Sequence, residues 1–324
     1  MAGSPEWAIA TPQKGTESIL SDCRVMSHPH QAAPIVPPSP NIDAAAICYR
    51  LAGYEFPWEL NRALEIAVLK TFCVPQISRL LRQTGEFEQR SQKRYDDTSL
   101  ILGNILKWGY DSPRGRAAIR QMNRIHQRFN IHNEDFLYVL STLIYEPIRW
   151  NQYFGWRLFT PDEKQALFQF WRAVGQQMRL RHLPATFEAF NQFNLAYEAK
   201  YFAYHPDNQM IGDAVVRLMQ GWAPTVAAPC VPMLVRSLVD EPTRVALGWK
   251  KPAPAIIRLV SWGMQARRQW IRQQPRRRSH FLVDQANRTY ADGYQIDQLG
   301  PDSSPSQSSR CPFLRMRAVL RGEH

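Results

Sequence analysis

An all-α fold, a single compact domain of about nine or ten packed helices between disordered tails, is predicted by three features of the chain. From Asp43 onwards apolar residues recur at three- and four-residue spacing, with almost no strand-like alternation. Helix punctuation is frequent: Pro stands at first-turn positions, capping residues precede several runs, and Gly follows others. No segment repeats at a fixed period, which argues against a solenoid.

With 324 residues, 44% of them hydrophobic, the chain has enough apolar surface for one large core or two modest ones. Residues 1–45 are rich in Pro, Ser and Ala and lack a basic region followed by an apolar stretch, so they read as a disordered tail and not as a signal peptide. A helical domain is expected over 46–285 and a flexible tail over 286–324. No apolar run reaches the roughly 18 residues that a membrane-spanning helix needs, and a cytoplasmic protein is expected. Cysteines 23, 48, 73, 230 and 311 have no metal-knuckle spacing and read as reduced thiols.

In order, Pro57, Trp58 and Glu59 open a helix whose Leu60, Ala63, Leu64, Ala67 and Val68 keep helical spacing as far as Cys73. Pro75 starts the next, with Ile77, Leu80 and Leu81 inward, and Gly85 stops it. Arg94 to Trp108 is amphipathic and ends at Gly109. Ser112 caps a helix begun by Pro113, striped by Ile119, Met122, Ile125 and Phe129, and ending near Phe129. Asn133 caps a second, with Glu134 and Asp135 in its first turn and a broad apolar surface including Leu137, Leu140, Leu143 and Ile144. Thr160, Pro161 and Glu163 form a capping box opening a helix through about Leu180. Helices over about 184–203 and 206–222 follow, then short Pro-initiated segments around 232–247 and a last helix from about 253 to 274.

The helix pair 112–150 concentrates polar chemistry on apolar helices. His126 lies beside the apolar stripe, and Arg120 and Arg124 form an i, i+4 pair whose guanidinium groups are expected near the imidazole. Tyr138, Ser141, Thr142 and Tyr145 add hydroxyls from the second helix, Tyr138 and Thr142 on one face. Such a pair encloses an oxygen or cofactor pocket. The bland alternatives are a hydrogen-bonded buried His126, arginines paired with Glu134 or Asp135, and hydroxyls bonded to the preceding turn. Glu198 and His205 lie in an aromatic-rich stretch and, with His126, form either a metal site or a core face with a histidine at a helix end. No zinc-protease, P-loop or dinucleotide-binding pattern occurs, so nicotinamide and flavin chemistry have no support. Residues 258–278 hold seven Arg and no acidic residue, out of a net charge of +12. Interleaved with Trp262 and Trp270, they read as a solvated helix end or a peripheral membrane contact; nucleic acid is the least favoured partner.

The runs M-N-R-I-H-Q-R-F (122–129), N-E-D-F-L-Y-V-L-S-T-L-I-Y-E-P-I-R-W (133–150) and F-G-W-R (154–157) resemble the MpaB-type oxygenases, whose superfamily includes the bacterial rubber oxygenases. The resemblance covers roughly residues 46–285 and is strongest over 112–160. It implies an all-α oxidoreductase that uses dioxygen on a hydrophobic, isoprenoid-like substrate, with oxidative cleavage of a carbon–carbon double bond in studied members. It also implies haem b, held in rubber oxygenases by an axial His on the second helix, with a basic residue and a Thr of the first helix at the distal face. Here the axial position is Leu140, and the first-helix pattern R-x-x-R-T-H reads Gln121, Met122, Asn123, Arg124, Ile125, His126. The site residues expected are therefore Arg124, His126 and Thr142 for catalysis, and Arg120, Arg124, His126 and Tyr138 at the cofactor. His126 is the candidate metal ligand, for haem iron or for a non-haem Fe or Mn. The alternative is a cofactor-free helical carrier of lipid or terpenoid that lacks the axial His.

Overall fold

Proline and short polar side chains begin nearly every helix in the computed structural model, which describes residues 42–274 and 281–301. Asp43 accepts the Ala46 N–H at 2.9 Å and caps α1 (Ala44–Arg50), which widens into a π turn over Leu51–Glu55. Pro at the first position opens α2 (Pro57–Thr71) and α3 (Pro75–Thr84), and Gly85, at φ +68°, ends α3 in the left-handed region. The short α4 (Glu86–Gln89) leads into α5 (Ser91–Trp108). Ser112 accepts the Gly115 N–H at 2.9 Å to start α6 (Pro113–His126). Next come α7 (Asn133–Phe154), α8 (Pro161–Gln177) behind the expected Thr160–Glu163 capping box, α9 (Phe187–Tyr201) and α10 (Pro206–Gln220). The short α11 (Val231–Leu238) and α12 (Glu241–Ala246) precede α13 (Pro254–Arg272). Among the described residues there is no β-strand.

The long α7 is the axis. It lies against α2, α8 and α9, while α5 packs on α6 and α1 on α8. Trp171, Phe170, Phe190, Phe56 and Ile144 are fully buried around it. A second apolar cluster, with Phe72, Ile211, Leu247 and Trp249, lies under α10 to α12. One close approach locks α5 to α6: a Cβ on Gly115 would sit 1.8 Å from the Gly109 carbonyl oxygen.

Three local expectations are corrected. The helix of His126 ends at that residue, not near Phe129, and continues only as turns. Asn133 is the first residue of α7, not its cap; its side chain exchanges two 2.9 Å hydrogen bonds with the Arg181 backbone. Residues 286–301, expected in the flexible tail, lie against α5 and α6. Their polar composition has a structural use: Thr289 and Tyr290 donate to the buried Asp96 and Asp97, and the Leu299 and Asp297 carbonyls accept from Gln121. Leu299 is buried beside them. The expected tails at 1–41 and 302–324, and Arg276 to Arg278 of the basic segment, fall outside the described residues.

Candidate functional site

A cavity of about 450 Å³ is lined by residues of α2, α3, α5, α6, α7, α8 and α10. Its wall is mainly apolar, with Leu102, Leu140, Leu143, Trp171, Val174 and Met178. His126 reaches it because the last turn of α6 ends there, and the imidazole rests against Phe136, with ring centroids 5.1 Å apart. Its Nδ1 is buried and has no hydrogen-bond partner among the described residues. Burial, and then the positive charge of Arg94, lowers the His126 pKa to about 4, so the ring is neutral at pH 7. A neutral imidazole in this state can ligate a metal or take up a proton.

Of the other expected site residues, none lines the cavity. Arg120 and Arg124 stand on the exposed face of α6. Arg124 precedes His126 by two positions, a rotation of about 200° at 3.6 residues per turn, which aims the two side chains apart. The expected convergence of two guanidinium groups on the imidazole is therefore corrected. Thr142 is fully buried, and its hydroxyl donates to the Val139 carbonyl at 2.7 Å. Tyr138 is also fully buried, stacked on Tyr197 at 4.4 Å, with its hydroxyl 3.3 Å from Glu198. Both belong to the face of α7 turned away from the cavity, whereas Phe136, Val139, Leu140 and Leu143 face it.

That opposite face holds a buried charge cluster which sequence reading missed. Lys70 of α2 is 2% exposed, and its Nζ lies 3.2 Å from Glu146, 3.1 Å from Glu198 and 2.9 Å from Asp240. Arg149 pairs with Glu146, stands 3.8 Å from Glu198 and donates to Asn194 at 2.7 Å. Burial pulls the Lys70 pKa down, but the three carboxylates outweigh it and hold the ammonium charged. Burial raises the Glu198 pKa, with Lys70 opposing. The stretch E-P-I-R-W thus supplies both a carboxylate and a guanidinium to this cluster, and Arg157 of F-G-W-R grips the capping-box Glu163 at 2.7 Å. Both stretches contribute ion pairs that tie neighbouring segments together.

A site joining Glu198, His205 and His126 is not assembled. Glu198 is held by Lys70, and His205 Nδ1 accepts the Asp207 N–H at 3.2 Å as the cap of α10. Among the described residues no three His, Cys, Asp or Glu side chains converge on a metal position.

The position that carries the axial His in rubber oxygenases is committed to packing. Leu140 is 3% exposed, and its Cδ2 lies 2.5 Å from where a Cβ on Gly175 of α8 would stand. An iron centre in this cavity would have to be held by a residue other than Leu140; the histidines among the described lining residues are His126, at the end of the neighbouring helix, and His132.

Sequence reading also missed Arg94 as a cavity residue. Its signal was available: Arg94, Thr98, Ile101 and Ile105 follow helical spacing along α5, so the arginine shares a stripe with buried isoleucines.

Comparison with known proteins matches residues 63–273 to the family described as ER-bound oxygenase mpaB/B'/Rubber oxygenase, catalytic domain. The chain is 26% identical over 230 residues to the ER-bound oxygenase mpaB' of Penicillium brevicompactum, covering 65% of this chain and 54% of that protein. It is 27% identical over 195 residues to the ER-bound oxygenase mpaB of the same organism, covering 55% and 50%. Against the ER-bound oxygenase mpaB of Penicillium roqueforti (strain FM164) the figures are 25% over 223 residues, 63% and 75%. The match thus spans about half the length of the two Penicillium brevicompactum relatives.

Proposed function

This chain belongs to the mpaB/B' and rubber oxygenase catalytic-domain family, and we propose that it carries out dioxygen-dependent oxidation of a hydrophobic, isoprenoid-like alkene in the cavity beside His126. The observation that carries this reading is the neutral imidazole, its buried Nδ1 without a hydrogen-bond partner among the described residues, on a mainly apolar cavity wall. Leu140, Leu143, Trp171 and Val174 hold the hydrocarbon by burial, at about 25 cal/mol per Å² removed from water, and exclude water from the reacting bond. His126 either ligates iron or accepts and returns a proton. A haem, or a non-haem iron, held by His126 would supply the activation of dioxygen. Arg124 and Thr142 have no direct role in this scheme, because neither lines the cavity.

Leu140 favours a second reading, a cofactor-free carrier of lipid or terpenoid. The absorption spectrum and metal content of the purified protein, with and without haem supplied during expression, separate the two. A Soret band that His126→Ala abolishes is the expected result. A colourless, iron-free protein that still binds terpenoid would replace the oxygenase with the carrier.

The reading extends to where the substrate is collected. On α13 Leu259, Trp262 and Trp270 are 66%, 70% and 58% exposed, and the helix carries Arg258, Arg268 and Arg272 with no acidic residue, while its Arg267 is paired with Glu59 of α2 at 2.8 Å. An apolar face flanked by arginines suits an anionic lipid surface, in which a lipophilic alkene is dissolved. The relatives are named ER-bound, and among the described residues no helix is long and apolar enough to cross a membrane.

A further inference from the structure

Every carboxylate on the cavity wall near Arg94 already has a partner of its own. Glu65 is paired with Arg62 and accepts the Tyr95 hydroxyl, Glu86 is paired with Arg90, and Asp97 is paired with Lys93 at 3.0 Å and accepts the Tyr290 hydroxyl. Arg94, in the first turn of α5, lines the same cavity, and no ion pair ties it to any described residue. Its Nη1 donates to Thr98 one turn on, and its guanidinium lies over the Phe87 ring, 5.5 Å from the centroid. One edge of the fork is thus fixed and one face is stacked, while other donors have no protein partner among the described residues. Burial lowers the Arg94 pKa, with Asp97 and Glu86 only partly opposing. A partly desolvated cation with no ion-pair partner among the described residues is unfavourable, so the ligand of this cavity is the natural source of the balancing charge.

We propose that Arg94 is the carboxylate-binding residue of the cavity and that it takes the anionic end of an otherwise apolar ligand. The inference rests on the oxygenase reading only for the claim that this ligand is the substrate. One uncompensated cation among paired carboxylates suits a monoanion and disfavours a diphosphate, whose extra charge would meet Asp97 and Glu86. A carboxylate also matches the guanidinium fork with two parallel hydrogen bonds. From Arg94 the wall continues along α5 through Ile101 and Leu102 to Leu106, about 18 Å at 1.5 Å per residue. Because α5 and α6 run antiparallel, with Arg114 of α6 donating to Asn104 of α5 at 2.7 Å, an isoprenoid or long-chain carboxylic acid anchored at Arg94 has its head at the His126 end of α6 and lays its hydrocarbon along α5 over the apolar wall. The carboxylate has two possible sources, the substrate itself or a propionate of bound haem.

The test is calorimetric binding of farnesoic acid and its methyl ester at neutral pH to haem-free full-length protein, wild type and Arg94→Met. Methionine keeps the apolar volume and removes a desolvated charge, so the variant is expected to fold, and its affinity for the ester checks this directly. The wild type is expected to prefer the acid by about 10- to 100-fold, the worth of a charge-assisted hydrogen-bonded pair. Arg94→Met is expected to bind both compounds alike. Equal affinities in the wild type, or an acid preference that survives in Arg94→Met, overturns the proposal. Repeating the titration on haem-loaded protein identifies the source: an acid preference that persists assigns the site to substrate, and one that disappears with haem assigns it to the propionate. Because binding is measured without oxidation, an Arg94-dependent acid preference in a protein that oxidises no isoprenoid alkene would refute the oxygenase and leave the carboxylate site standing.

Discussion

His126 carries a free-energy cost that appears only in acid. Its pKa falls from 6.5 in an open chain to about 4 in the fold, chiefly through burial, so the folded state binds fewer protons between those values. The contribution is fully present above pH 6.5 and is lost as the pH falls toward 4, by about 3 kcal/mol at most. Urea unfolding across that range is expected to show this loss in the wild type and its absence in His126→Phe. A pH dependence identical in both would mean that the imidazole is solvated and not lodged in the cavity wall. Local spacing pointed to His126 because an imidazole beside an apolar stripe is visible in sequence. Arg124 is nearly as close along the chain, yet it was misplaced by a rotation of about 200°. Arg94 went unnoticed because an arginine in the first turn of an amphipathic helix ordinarily points only to solvent, and only the packed wall around it shows that this one lines the cavity.

Among the elements, α7 separates two kinds of chemistry. Its Phe136, Val139, Leu140 and Leu143 face the cavity, and its Tyr138, Glu146 and Arg149 face the charge cluster shared with Lys70 of α2 and Glu198 of α9. Lys70→Met leaves Glu146, Glu198 and Asp240 with Arg149 as the remaining cation among the groups named, a loss expected to cost about 3–5 kcal/mol in urea unfolding. Adding Glu198→Gln is expected to recover part of it, because one of the stranded charges is then removed. Additive losses would mean that the two residues act independently. Helix starts were legible to within a few residues wherever Pro and a capping side chain coincide, as at Thr160 and Pro161. At Asn133 the start was legible to within one residue, but the capping role was not, since its amide bonds the Arg181 backbone instead of its own helix end.

At the scale of the molecule, α13 presents Leu259, Trp262 and Trp270 outward on one helix face. Sedimentation with vesicles containing phosphatidylserine is expected to carry the protein down, with binding that weakens as salt is raised. Replacing Trp262 and Trp270 by Ser is expected to weaken it about tenfold or more. Binding that is the same on neutral and anionic vesicles would remove the arginines from the account, and no binding to either, or binding indifferent to both tryptophans, would remove α13 as a membrane contact. The all-helical class, the order of the helices and the kinship with mpaB-type oxygenases were readable from composition, spacing and three short runs, because helical periodicity and punctuation are local properties. The extent of the domain was not readable. The polar stretch 286–301 looks like a tail until Asp96, Asp97 and Gln121 are seen to need its hydrogen bonds. Nor did spacing reveal which residues share the cavity, since Arg94, His126 and Leu140 come from three helices and meet only when α5, α6 and α7 are packed. Periodicity orients a side chain about its own helix axis, whereas a site depends on which axes are neighbours, and that is settled by long-range burial and by charges such as Lys70 finding partners far along the chain.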